Sequence, residues 1–178
     1  MNQLRKTLVV LLLAVMATTL AAAQSVKSLP KDPLAARKPS SYPQSKTDEQ
    51  VAKVRDGFTA YFSGDASKMR ALLDEDVKLH IAGNSQLAGV YEGPDAVLAF
   101  GLKIFQLTDN TFAGKPLYFT GNERFVHILI DDTASRNGKT LKWFEGIIQE
   151  FNSEGKITHV YACFSNQAEW DAFIDGKL

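Results

Sequence analysis

Residues 79–100 read LHIAGNSQLAGVYEGPDAVLAF, and the fold turns on how this stretch is parsed. Its beginning belongs to VKLHIAG, residues 77–83, in which Val77, Leu79 and Ile81 alternate with Lys78, His80 and Ala82; that period of two predicts a strand ending at Gly83. A polar loop follows, and EGPDAVLAFGLKIF then places Pro94 in the first turn of a helix with Val97, Leu98, Leu102 and Phe105 as its apolar stripe. A strand followed by an amphipathic helix needs a broad apolar partner, which is a sheet.

The flanking sequence supplies it. On the N-terminal side, TDEQ at residues 47–50 reads as a capping box, and Val51, Val54, Phe58, Tyr61 and Phe62 recur at helical spacing. Gly64 and Asp65 close that helix and open a short second one that turns Met69, Leu72 and Leu73 inward. On the C-terminal side, KPLYFTG, ERFVHILIDDTAS, KTLKWFEGIIQEF and KITHVYACFS are strand-like. GN, RNG and NSEG separate them with the chemistry of antiparallel hairpin turns. A last helix is capped at Asn166, with Glu169 three residues on, and presents Trp170 and Phe173. Helices segregated from an antiparallel meander define an α+β domain, and the twist of long strands predicts a sheet curled around the helices.

The chain has 178 residues, with 20 basic and 20 acidic side chains. Residues 1–23 read as a secretory signal peptide: Arg5 and Lys6 precede an apolar run from Leu8 to Leu20, which ends in Ala21, Ala22 and Ala23. The run falls short of the ~20 apolar residues of a membrane span, so the expectation is a secreted or periplasmic protein with no membrane association after cleavage. Residues 24–46, with Pro30, Pro33, Pro39 and Pro43, read as a flexible leader, and residues 47–178 as one domain. Signal removal takes two of the 20 basic residues and leaves a formal charge of −2, with no concentrated basic patch to suggest nucleic acid. Cys163 is the single cysteine, so an intrachain disulfide is excluded.

The helical hairpin, HIAGNSQLAGVYEGPDAVLAF, GKTLKW, the GKI turn and the closing QAEWDAF together resemble the SnoaL-like branch of the nuclear transport factor 2-like superfamily, over roughly Thr47 to Ile174. The resemblance implies a cone-shaped curved antiparallel sheet wrapped around N-terminal helices, one apolar pocket and a homodimer. Catalytic members of this superfamily include polyketide cyclases, ketosteroid isomerases and epoxide hydrolases, while others only bind, so fold does not settle function.

In ketosteroid isomerases the general base is a carboxylate three residues before the glycine of this turn, and the matching residue here is His80. An imidazole can serve as a base near neutral pH, but alternation alone does not say whether His80 faces the cavity. Trp143, Glu145, Ile147 and Gln149 share a strand face; if it is concave, Glu145 sits in apolar surroundings that raise its pKa, and if convex it is solvated or at an interface. Tyr161 is a candidate for stabilising a developing oxyanion. In polyketide cyclases an aspartate near the end of the last strand acts as base, and HVYACFSN has none. Asp131 and Asp132, adjacent and on opposite faces, are expected at a strand end in water. His127 and His159 are expected as structural residues, and no histidine spacing suggests a metal. The expected pocket comprises Phe58, Tyr61, Phe62, His80, Val97, Phe105, Trp143, Glu145, Tyr161 and Cys163, with no cofactor or metal. Two functions compete: a carrier for a small hydrophobic molecule, and a proton-transfer enzyme using His80, Glu145 and Tyr161. A dimeric interaction module with a filled, vestigial cavity is a third.

Overall fold

In the computed structural model, residues 44–178 are described; the expected signal peptide and nearly all of the Pro-rich leader lie outside them. The element order is α1 (Gln44–Phe62), α2 (Ser67–Leu72), β1 (Leu73–Ile81), β2 (Gly89–Glu92), α3 (Pro94–Leu107), β3 (Ala113–Gly121), β4 (Phe125–Arg136), β5 (Lys139–Phe151), β6 (Ile157–Phe164) and α4 (Gln167–Ile174). The α+β class holds, as a curved, unclosed sheet of six strands in the order β2-β1-β6-β5-β4-β3.

The sheet departs from the expected antiparallel one at a single joint, where β1 runs parallel to β6. Chain reversal dictates this. β2 folds back on β1, α3 crosses to the far edge, and β3 therefore runs with β2; three hairpin reversals then bring β6 home in the direction of β1. The two-residue Asn137-Gly138 turn, with φ of 51° and 76°, sets the β4–β5 register by pairing Arg136 with Lys139. Positive φ at both central residues matches the right-handed strand twist, which is why Asn-Gly stands there.

Helix α1 begins at Gln44, so Thr47 lies in its first turn and does not cap it. At the other end Asp65 accepts from the Ser67 amide and hydroxyl and starts α2, as the sequence suggests. On α3 the buried residues are Pro94, Phe100 and Ile104, with Leu102 turned to solvent at 62% exposure. The stripe is thus rotated from the expected one, because the helix rests on the concave sheet along its Phe100–Ile104 edge. Asn166 caps α4 by accepting from the Glu169 amide. Trp170 of that helix is wholly buried and stacks on Phe164 with ring centroids 3.9 Å apart.

The core fills the space between α1, α3 and the concave face. Val54 and Phe58 meet Leu79, Val126, Ile128, Ile130 and Val160 there. Gly83 ends the HIAG turn at φ +100°, a conformation that L side chains avoid. Asp171 of α4 fastens that turn by accepting from the Asn84 amide at 2.7 Å. No helix among the described residues is long and apolar enough to cross a membrane.

Candidate functional site

Helix α1 contributes Phe58, Tyr61 and Phe62 to a cavity, α3 contributes Val97, Leu98, Phe100 and Ile104, and the sheet closes it with Leu79, Glu145, Ile147, Gln149, Val160 and Ala162. Its volume is about 120 Å³. Tyr61 forms a wall of it, held by a hydrogen bond of 2.7 Å that its hydroxyl donates to the Leu98 carbonyl. On the outer side of Tyr61 a second, open groove is lined by Phe62, Leu98, Leu102 and Phe105.

Of the expected pocket residues, Phe58, Tyr61, Phe62, Val97 and Glu145 line the cavity. Phe105 faces the outer groove. Trp143 is on the concave face and buried, but it packs against Phe112 and Phe173 instead of lining the cavity. His80, Tyr161 and Cys163 are corrections. Leu79, Ile81, Val160 and Ala162 take the buried face, and alternation then sends His80, Tyr161 and Cys163 to the opposite side of the sheet. There the His80 and Tyr161 rings stack at 4.7 Å, and His80 Nε2 lies 3.0 Å from His159 Nδ1, one ring donating to the other. Partial burial, then the neighbouring His159 and Lys78, hold the His80 pKa below its usual value. Cys163 is exposed. Among the described residues no group of three His, Cys, Asp or Glu side chains could hold a metal ion.

Glu145 is 7% exposed, which settles the sequence's open question in favour of the concave face. The expectation for Asp132 fails. It is 1% exposed, placed inside by the same alternation that buries Ile128 and Ile130. Asp132 pairs across the strands with Trp143 and stands diagonal to Glu145, whose own partner is Ile130. Opposite it on β3 is Gly114, where a Cβ would come within 2.6 Å of Asp132 Oδ1, so the glycine makes room for the carboxyl group.

Two buried acids so placed cannot both ionise cheaply. Desolvation pushes Asp132 up to about 7, with the nearby Asp131 charge adding to the rise and a hydrogen bond from Glu145 opposing it. Glu145 is raised well above the carboxylate range, first by burial and then by the Asp132 charge. Burial therefore holds both acids toward their protonated forms, Glu145 more strongly than Asp132. The contact is loose, since neither Asp132 oxygen completes a hydrogen bond of ordinary geometry. Gln149, 4% exposed, also leaves its Oε1 without a partner where it lines the cavity. Buried polar atoms without partners are rare enough to require explanation.

Comparison with known proteins assigns this architecture. The SnoaL-like domain family matches residues 54–160, and the chain belongs to that family. Among solved structures, Bal32a from a soil-derived mobile gene cassette is 29% identical and superposes with a TM-score of 0.66 over 72% of this chain and 98% of its own. A protein of unknown function with a cystatin-like fold from Xanthomonas campestris is 26% identical, with a TM-score of 0.62 over 70% of this chain and 96% of its own. A nuclear transport factor 2-like protein from Burkholderia xenovorans LB400, 22% identical, shares the fold with a TM-score of 0.55 over 67% and 91%. The curated proteins include no match to the chain.

Proposed function

We propose that this protein binds a small, largely apolar molecule in the cavity between α1, α3 and the concave sheet. The observation that carries this reading is the cavity's lining, in which aliphatic and aromatic side chains surround two buried polar groups, Glu145 and Gln149. That is the composition of a ligand site, where apolar walls supply affinity and a few polar groups fix orientation. The interaction-module alternative calls for a filled interior, and a cavity of about 120 Å³ favours the binding reading over it. The acid–base alternative survives in altered form, with the Asp132–Glu145 pair in place of His80, which stands across the sheet from the cavity.

The test is native mass spectrometry of the mature protein from its own host, beside an Ala162→Phe variant that fills the cavity from β6. A discrete adduct on the natural protein, absent from the variant, is the expected result; a protein that never retains or takes up an apolar molecule removes the reading. We further propose export through the signal peptide, to a periplasm or the exterior, and a homodimer. N-terminal sequencing of the mature chain is expected to begin near Gln24, and sedimentation is expected to give twice the chain mass.

A further inference from the structure

We propose that the ligand is a small amphipathic amine whose ammonium group sits at Glu145 and whose far end donates a hydrogen bond to Gln149. The inference rests on the binding reading above and adds the ligand's class. It stands on the kind of polar atom that the cavity leaves unpaired. Gln149 Oε1 is an acceptor without a partner in the cavity lining, and Glu145 adds a carboxyl group to the same wall. No Lys, Arg or His lines the cavity. Trp143 Nε1 is an unpartnered donor on the same sheet face, but Trp143 is not part of the lining. A pocket whose unpaired polar atoms are acceptors is complementary to a ligand that brings donors.

The charge points the same way. A buried carboxylate is stable when neutralised by a proton or by a paired cation. Here no cationic side chain lines the cavity, and burial instead pushes Glu145 toward its protonated form. An ammonium ion can replace that proton, donating to Glu145 while Asp132 behind it shares the charge; the displaced proton leaves to solvent.

Spacing describes the rest of the molecule. Glu145 and Gln149 lie four residues apart on β5 with Ile147 between them on the same face, a backbone separation of about 13 Å. The ligand therefore needs an apolar middle against Ile147, facing Phe58 and Ile104, and a donor at each end. An aryl ring with a short aminoalkyl chain at one end and a hydroxyl at the other meets those requirements.

Calorimetric titration at pH 7 with tyramine, 4-ethylphenol and 4-hydroxyacetophenone tests this. Tyramine is expected to bind at least about tenfold more tightly than either of the others, as a charge-assisted hydrogen bond in a dry site warrants. Glu145→Gln is expected to abolish that preference, bringing tyramine to within about threefold of 4-ethylphenol. Should that variant fail to fold, titration of the natural protein in buffers of different ionisation enthalpy is expected to show proton release on tyramine binding. Equal or tighter binding of 4-ethylphenol, or of 4-hydroxyacetophenone accepting from a protonated Glu145, overturns the amine and leaves the binding reading standing. No binding of any of the three at millimolar concentration overturns both.

Discussion

On the concave side of β5, Glu145 and Gln149 lie buried among aliphatic side chains, whereas on the convex side of the neighbouring β6, His159 and Tyr161 stack with His80 at the half-exposed surface. Both clusters contain titratable groups, and in both desolvation is the largest cause of a displaced pKa. Its consequences differ because the depth differs. Two acids sealed from water are pushed toward their protonated forms, while a half-buried imidazole is only eased toward its neutral one. Chemical interest in this fold therefore follows the face, and residue type is a poor guide to it.

The comparison breaks most visibly in the pH dependence of stability. A carboxyl group whose folded pKa is raised binds its proton more firmly in the folded chain than in the unfolded one. Its contribution is full below the unfolded value near 4 and is lost as pH rises through the folded value. For Asp132, raised from 3.8 to about 7, the loss amounts to at most about 4 kcal/mol by pH 8. Glu145 extends the same loss to higher pH. Urea unfolding at pH 5 and pH 9 is expected to show that Asp132→Asn with Glu145→Gln flattens the decline relative to the natural chain. Parallel declines in the two proteins would mean that the pair is not desolvated as described.

Packing gives the next largest contrast. Ile130 is 1% exposed on the concave face, and its neighbour Leu129 is half-buried on the convex one. Truncating Ile130 to Ala is expected to cost about 3 kcal/mol, and Leu129→Ala under about 1, by equilibrium denaturation. Comparable costs would show that the convex face is covered in solution, and would sharpen the case for a dimer across it.

Much of this asymmetry was already present in the sequence. Alternation in β4 runs Val126, Ile128, Ile130, Asp132, Ala134, so Asp132 belongs to the buried phase. The Asn137-Gly138 turn pairs residues 136 and 139, and counting back from it sets Asp132 opposite Trp143 and beside Glu145. Placing Asp131 and Asp132 at a strand end in water overrode a register that was available. The phase of β1 was not available in the same way, since Val77, Leu79 and Ile81 establish an apolar face without saying which side of a two-layer domain it meets. Carrying the isomerase base position onto His80 chose the wrong side. The parallel β1–β6 joint depends on how far α3 carries the chain, which local patterning does not encode.

The mouth of the cavity offers a smaller effect. Gly101 of α3 lies so close to Tyr61 that an added Cβ would collide with the hydroxyl, with Tyr61 Cζ only 3.1 Å away. Gly101→Ala is expected to destabilise by about 1–2 kcal/mol as the ring is displaced from the Leu98 carbonyl, despite the gain of about 1 kcal/mol in helix propensity. In a Tyr61→Ala background the collision is gone, and the same substitution is expected to stabilise. A reversal of sign in this double-mutant cycle identifies Tyr61 as the wall between cavity and groove; equal costs in both backgrounds would place the strain elsewhere.

The smallest effect belongs to the convex cluster. The His80 pKa is lowered by partial burial and then by His159 and Lys78. A depressed histidine contributes stability that is present above its unfolded value near 6.5 and is lost as pH falls through the folded value. His80→Asn is expected to change stability by less than about 0.5 kcal/mol at pH 7, as surface substitutions usually do. The informative readout is the ring itself. In nuclear magnetic resonance titration, His80 is expected to change protonation below the ordinary histidine midpoint, and His159→Ala is expected to move it part of the way back. Because burial is the larger cause, full recovery would show that His159 alone sets the shift and that the imidazole is as well hydrated as a free one. Glu145→Gln, on the other side of the sheet, is expected to leave the His80 titration where it is, and a shift there would show that the two faces do not behave independently.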